Sequence, residues 1–422
     1  MRILRHTDAD FSTAIADLQR SAEPHPQVLA TVREILAAVR EKGDAALLDY
    51  TEQFGGPRLT AAELRVRATP RVDAATRAPV RTAHANVFAF AQKSLRRSWT
   101  MKNAQGGVVG ERFDPFPRVG IYVPGGTAPL VSTAVMTCTL AQAAGCPEIV
   151  VATPSDRDGR VNAALLHALR VAGATEIYRV GGAQAIAALA YGTASIRPVQ
   201  KIFGPGNAYV VEAKRQVFGR VAIDLLPGPS EILVLADASA HPAWIAADLL
   251  AQAEHGKNSV MLFLTPSAPL LRAVEHEIAV QLARLSRQEH LRPVLEKDAA
   301  LILVKSLAQG VALANEFAPE HLSLVTRDDA RHAASIRTAG AIFLGGYSPV
   351  AAGDFLAGPS HTLPTGGAGK SFPGLTADMF QRRTSVVRFD ARSLKKSVGV
   401  IAQFGAVEGL DAHARSATIR FD

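Results

Sequence analysis

Cysteine is nearly absent from this chain, with two residues, Cys138 and Cys146, in 422. Two thiols cannot build a disulfide scaffold or a four-cysteine zinc site, so a buried apolar core must hold the fold. Aromatic residues are scarce at 6%, and no apolar run reaches the roughly 18 residues that span a bilayer. The opening Met1-Arg2-Ile3-Leu4-Arg5-His6-Thr7-Asp8 turns polar too soon for a secretory leader. A soluble, cytoplasmic protein with no membrane partner is the expectation. Basic groups outnumber acidic ones, 46 to 38, for a formal charge of +8, but they are scattered. The densest clusters, Arg96-Arg97 and Lys395-Lys396, lack the interleaved aromatics of a nucleic-acid platform. Nucleic acid is not expected as a partner, whereas an anionic dinucleotide suits the balance.

What the chain has in quantity is apolar residue, 48% of the total, enough at this length for two or three domains. The first 110 residues read as helical, with Val32, Ile35, Leu36 and Val39 at helical spacing and a second helix over about 74–97. From Arg118 onward, short β-branched runs (119–123, 149–152, 177–180, 199–203) alternate with alanine-rich helical runs, and a second such series starts at 232. That alternation predicts parallel sheets with crossover helices. The expected class is α/β: two Rossmann-like doubly wound units meeting near Pro227-Gly228-Pro229, a helical N-terminal segment, and a small helical tail from 376. A single (β/α)₈ barrel is the competing arrangement.

Glycines follow several predicted strands: Gly125-Gly126, Gly181-Gly182, Gly204-Pro205-Gly206 and Gly345-Gly346. Beyond the carboxyl ends of parallel strands they predict one long ligand groove. No G-x-G-x-x-G occurs, and Gly204-Pro205-Gly206-Asn207-Ala208-Tyr209 lacks the third glycine. The segment Pro364-Thr365-Gly366-Gly367-Ala368-Gly369-Lys370-Ser371 imitates a phosphate-cradling loop. It has proline where the first glycine belongs and no strand before it, so an NTPase is not expected.

Four polar pairs remain. Gln252 and His255, three apart at a predicted helix end, can share one face and one metal, or simply cap the helix. Glu320-His321 at a strand entry is an acid/base candidate, or a solvated pair after Pro319. Asp354 and His361 lie in a long Gly-rich loop, where irregular chain is usually functional. Glu408 and His413 sit in the tail, where a surface role is the simpler reading.

Taken in order and spacing, 118–129, 180–190, 204–207, 228–231, 252–256, 318–322, 353–365 and 408–413 resemble the motifs of the histidinol dehydrogenase family, over nearly the whole chain. The resemblance implies oxidation of L-histidinol to L-histidine through L-histidinal, the last steps of histidine biosynthesis. It implies two NAD and one zinc ion (Zn2+) per subunit, and a homodimer with an exchanged tail. Implied zinc ligands are Gln252, His255, Asp354 and the partner's His413; the implied acid/base residues are Glu320 and His321. Substrate contacts would add Ser230, His361 and Glu408 to these six, and NAD contacts would be Tyr122, Gln184 and Asn207. In the implied chemistry His321 takes the hydroxyl proton and Glu320 activates water for attack on the aldehyde. The implied domain plan is an N-terminal arm (1–20), a discontinuous α/β domain bearing the metal and catalytic residues (21–121 plus 233–375), an inserted NAD-contacting domain (122–232) and the tail (376–422). Competing functions are a related zinc- and NAD-dependent dehydrogenase of another polar diol, such as a sulfonated one, a zinc hydrolase, and a non-catalytic nucleotide-binding module.

Overall fold

The computed structural model describes residues 1–18, 25–125, 129–256 and 258–422. Gly126 of the first glycine pair and the end of the expected N-terminal arm lie outside them. Two parallel sheets dominate. In the small sheet, Arg118–Tyr122, Glu148–Ala152, Glu176–Tyr178, Lys201–Phe203 and Ala222–Ile223 stand in the spatial order third-second-first-fourth-fifth. The large sheet repeats that order with Glu231–Ala236, Val260–Thr265, Ala299–Leu303, His321–Val325 and Ala341–Leu344. Each is therefore doubly wound, with a switch point between its first and fourth strands. The α/β class with two Rossmann-like units is the observed fold. No helix among the described residues is long and apolar enough to cross a membrane.

The central strands read as unbroken apolar runs because both of their faces are covered. In the small sheet, Val119, Ile121 and Phe203 join one apolar cluster, and Tyr122, Val150 and Ile202 join another. In the large sheet, Ile232 and Val234 face one cluster while Leu233 and Leu235 face a second. This is the two-residue period of a strand expressed twice in each sheet.

Four expectations change. Residues 99–115 are not helical: Trp99–Lys102 and Val108–Pro115 are strands. The tail is not wholly helical either, because Gln381–Arg388 pairs antiparallel with Val108–Pro115, setting Val387 opposite Val109. The β-branched pairs Val108-Val109 and Val386-Val387 complete each other only across the pairing, so neither marks a strand in isolation. The first residues are not an arm; Arg2–Arg5 is the edge strand of the large sheet, paired with Ala299–Leu303. Helices Pro26–Lys42 and Ala74–Ser94, expected with 233–375, instead cover opposite faces of the small sheet. Val32, Ile35, Leu36 and Val39 enter one of its clusters, and Val80 and Val87 the other. Periodicity reveals an apolar stripe but not the surface it fits.

At the amino edge of the small sheet the buried Arg118 guanidinium grips both oxygens of Glu176, at 2.8 and 2.9 Å, and also reaches Glu148. Three adjacent strands are thereby tied by one side chain. The Arg118 hydrogen bonds hold the Glu176 carboxyl down at about 2, against an ordinary 4.5. A depressed carboxyl stabilises above its unfolded pKa and loses that contribution as pH falls toward the folded one. Glu176→Gln should cost about 1–2 kcal/mol at pH 7, discounted for partial exposure and for Glu148 remaining on Arg118. It should also flatten the fall in stability between pH 4.5 and about 2. Urea titrations across that range measure both.

Candidate active site

The two units meet with opposite strand ends. A cavity of about 640 Å³ is lined by Pro124, Pro205 and Gly206, which follow small-sheet strands, and by Ser230, Glu320 and His321, which open large-sheet strands. The groove predicted at carboxyl ends is thus present on the small sheet, while the large sheet contributes its amino edge. Gly345-Gly346, at the large sheet's carboxyl edge, lines neither this cavity nor the one described below.

Glu320 and His321 are 6% and 2% exposed, too buried to be a solvated pair. Parallel pairing sets His321 opposite Ile232, across the switch point of the large sheet. That register brings both side chains onto the backbone of Glu231. Its N–H donates to Glu320 Oε2 at 2.8 Å, and its carbonyl accepts from His321 Nδ1 at 3.0 Å. With Nδ1 committed as a donor, the neutral ring carries its lone pair on Nε2, which is buried and has no hydrogen-bond partner. Asp354 Oδ1 lies 3.6 Å from it. Burial raises the Glu320 carboxyl above the usual range. Burial would lower His321, but the carboxylates of Glu320 and Asp354 outweigh it and raise the imidazole. Ahead of the pair, Ala318 ends the helix Leu307–Phe317 in the left-handed region (φ 54°), a strain that alanine bears only where packing over-determines it.

His361 is fixed from both ends: Nδ1 donates to the Asp354 carbonyl at 3.0 Å, and Nε2 meets Thr133 Oγ1 at 3.1 Å. Gln252, His255 and Asp354 line the same cavity. Gln252 is 2% exposed, and its amide Nε2, an N–H donor, has no partner. Among the described residues no group of three His, Cys, Asp or Glu side chains converges on a point where an ion would sit. The amide oxygen of Gln252, the imidazole of His255 and the carboxylate of Asp354 are nevertheless the nitrogen and oxygen donor types that zinc accepts, one ligand short of four. The predicted helix end is real: Pro242–Ala253 stops there, and its partial negative charge favours a cation. Ser230 also lines this cavity, whereas Glu408 and His413 line neither cavity and lie exposed on the tail helices Val398–Glu408 and Asp411–Thr418.

A second cavity of about 560 Å³ contains Tyr122, Gln184 and Asn207, so the residues matched to NAD come together. Tyr122 OH accepts from the Gly182 N–H at 3.1 Å, and Asn207 Oδ1 caps the helix Ala208–Val217. Between the cavities runs Gly204-Pro205-Gly206-Asn207. Gly204 has φ +105°, and a Cβ there would stand 2.1 Å from the Tyr122 carbonyl oxygen. The fully buried Lys214 ammonium holds this loop, donating to the Gly204 carbonyl (2.9 Å), the Leu225 carbonyl (2.8 Å) and the Asp224 carboxylate. Asp224 in turn accepts from the Gly204 N–H at 2.7 Å. The imitation phosphate loop serves elsewhere: Thr365 Oγ1 accepts from Gly228 N–H, and Gly366 N–H donates to Glu231 Oε1.

Sequence reasoning missed Asp248, Thr133 and the Glu231 backbone. Asp248 lines the same cavity as Gln252, one turn before it, and that spacing could have found it. Thr133 and Glu231 had no local signal, since the first acts across 228 residues and the second through its main chain.

The histidinol dehydrogenase family model matches residues 18–421. The chain is 45% identical to the histidinol dehydrogenase of Geobacillus kaustophilus (strain HTA426), over 93% of each chain. It is 43% identical to that of Syntrophotalea carbinolica, over 100% of this chain and 99% of the relative. The crystal structure of histidinol dehydrogenase from Elizabethkingia anophelis superposes with a TM-score of 0.94 at 32% identity, covering 100% of this chain and 98% of that one.

Lys214→Met leaves Asp224 charged and unpaired in a dry interior, which should cost about 3–5 kcal/mol in chemical denaturation. Adding Asp224→Asn should recover part of the loss, because the stranded charge is then gone.

Proposed function

The chain belongs to the histidinol dehydrogenase family, and from that footing we propose that it oxidises L-histidinol to L-histidine through L-histidinal, using two NAD and one zinc ion per subunit. The observation that carries this reading is the placement of Glu320 and His321, both held by Glu231, on the same cavity as Gln252, His255 and Asp354. Zinc, when held by those three residues and the partner's His413, supplies a Lewis-acidic anchor for substrate nitrogens, and NAD supplies the hydride acceptor. His321 takes the hydroxyl proton at Nε2, the nitrogen its Glu231 contact leaves open. Asp354 opposes this while its charge is free to hold a proton on the ring; once Asp354 serves as a ligand, that pull weakens. Glu320 keeps one oxygen on the Glu231 N–H and uses its carboxylate to activate the water that attacks the aldehyde. His321 then acts again as base while the hydrate is oxidised. Burial of the cavity keeps the reactive aldehyde from side reactions.

Asp248, Glu254, Glu320 and Asp354 line the cavity, and no Lys or Arg is among the described lining residues. That balance supports a cationic amino alcohol over a sulfonated diol. The reading includes a homodimer. Val400, Phe404 and Val407 are 57%, 63% and 75% exposed along one tail helix, an apolar face suited to a second copy, which would bring Glu408 and His413 to the site. It also includes a cytoplasmic location, which two buried, unpaired thiols suit.

The direct test is oxidation of L-histidinol with NAD. Two reduced cofactors per substrate are expected, lost on chelation and restored by zinc; turnover without NAD would sink the reading in favour of a hydrolase. His321→Asn should lower kcat by about 10²–10⁴-fold with zinc content unchanged. Glu320→Gln should impair oxidation of supplied L-histidinal more than that of L-histidinol, and equal losses would count against its role.

A further inference from the structure

The cavity that holds Tyr122, Gln184 and Asn207 has one ionised side chain among its described lining residues, Arg179. Its guanidinium is braced against the Gly159 carbonyl, and its Nε is buried without a partner. The neighbouring Glu63 carboxylate is already engaged by the Thr60 N–H and hydroxyl, so it does not take Arg179. Gly181, Gly182, Ala183 and Gln184, the amino end of the helix Gly182–Tyr191, open into the same space.

The other helices that start at this edge of the small sheet are not available to a ligand here. Ala163–Val171 and Ala208–Val217 are capped by their own Asn162 and Asn207 side chains. Val131–Ala144, which follows the first strand and would hold the phosphates in an ordinary dinucleotide fold, directs Ser132 and Thr133 into the substrate-side cavity. Gly182–Tyr191 has no side-chain cap from its own N-cap residue, and of its first N–H groups the Gly182 one is taken, by the Tyr122 hydroxyl. Gln184, 3% exposed, leaves its amide oxygen without a partner beside that helix end, an acceptor that suits a hydroxyl or amide N–H of the same dinucleotide rather than its phosphates.

We propose that Arg179 and the amino end of the helix Gly182–Tyr191 form the seat of the dinucleotide's pyrophosphate, displaced by two strands from the usual position. This rests on the reading that a dinucleotide enters this cavity. Paired cationic and N–H donors suit a diphosphate, and the displacement accounts for the missing G-x-G-x-x-G.

The test is calorimetric binding of NAD to zinc-loaded enzyme, with inorganic pyrophosphate as a competitor. Arg179→Met should weaken NAD about tenfold to hundredfold, the usual weight of a hydrogen bond to a charged group, and leave the KM for L-histidinol unchanged. Arg179→Lys should restore most of the affinity, and pyrophosphate should displace NAD from the wild type. NAD affinity in Arg179→Met within about twofold of wild type overturns the proposal. So does failure of pyrophosphate to compete in the wild type, a measurement that needs no variant to fold. If Gln184→Ala weakens NAD while Arg179→Met does not, the seat is wrong and the cavity reading stands. If neither variant matters, the dinucleotide binds elsewhere and both fall.

Discussion

Two hydrogen bonds to the main chain of one residue, Glu231, align the Glu320-His321 pair. Its N–H and carbonyl hold Glu320 and His321 at 2.8 and 3.0 Å, and no side-chain choice at 231 supplies them. They exist because Glu231–Ala236 and His321–Val325 pair in one register at the switch point. That register is enforced beneath by Leu233, Leu235, Leu322 and Leu324, all buried in one cluster. A slip of one residue would carry those leucines, and the imidazole with them, to the opposite face, where another packed cluster leaves no matching space, so the alignment of the imidazole is as firm as the sheet itself.

The opposed strand ends give the junction of the two units sides of opposite polarity. On the small sheet, helices begin at the ligand edge and present N–H groups with partial positive charge. On the large sheet, helix Pro242–Ala253 ends at the ligand edge beside Gln252 and His255, and the local field is negative. The carboxylates of Asp248, Glu254, Glu320 and Asp354 reinforce it, while Arg179 reinforces the other side. Backbone polarity and side-chain charge therefore agree in sign on each side.

Much of this was legible before any coordinates. Alternating β-branched and alanine-rich runs marked both parallel sheets, because strands buried on two faces cannot hide their composition. Glu320-His321, Gln252/His255 and Asp354/His361 were each weak alone, and their convergence on one cavity is what a linear reading cannot display. The antiparallel strands were missed because half-exposed strands such as Gln381–Arg388 carry mixed composition, and their partners lie far away in the chain. The stripe on Pro26–Lys42 was read correctly, but its docking surface was not, since Val150 and Ile186 bear no mark of the helix that covers them. Lys214 and Asp224 carry no mark in the sequence; only the burial of both side chains reveals them as a clamp.

The four apolar clusters divide between the sheets, and those of the small sheet share no residue with those of the large one. Perturbations with no common neighbours combine additively. A lineage can therefore retune its grip on one ligand by small steps without eroding the foundation of the other, and two sets of changes selected separately can be merged in a single gene.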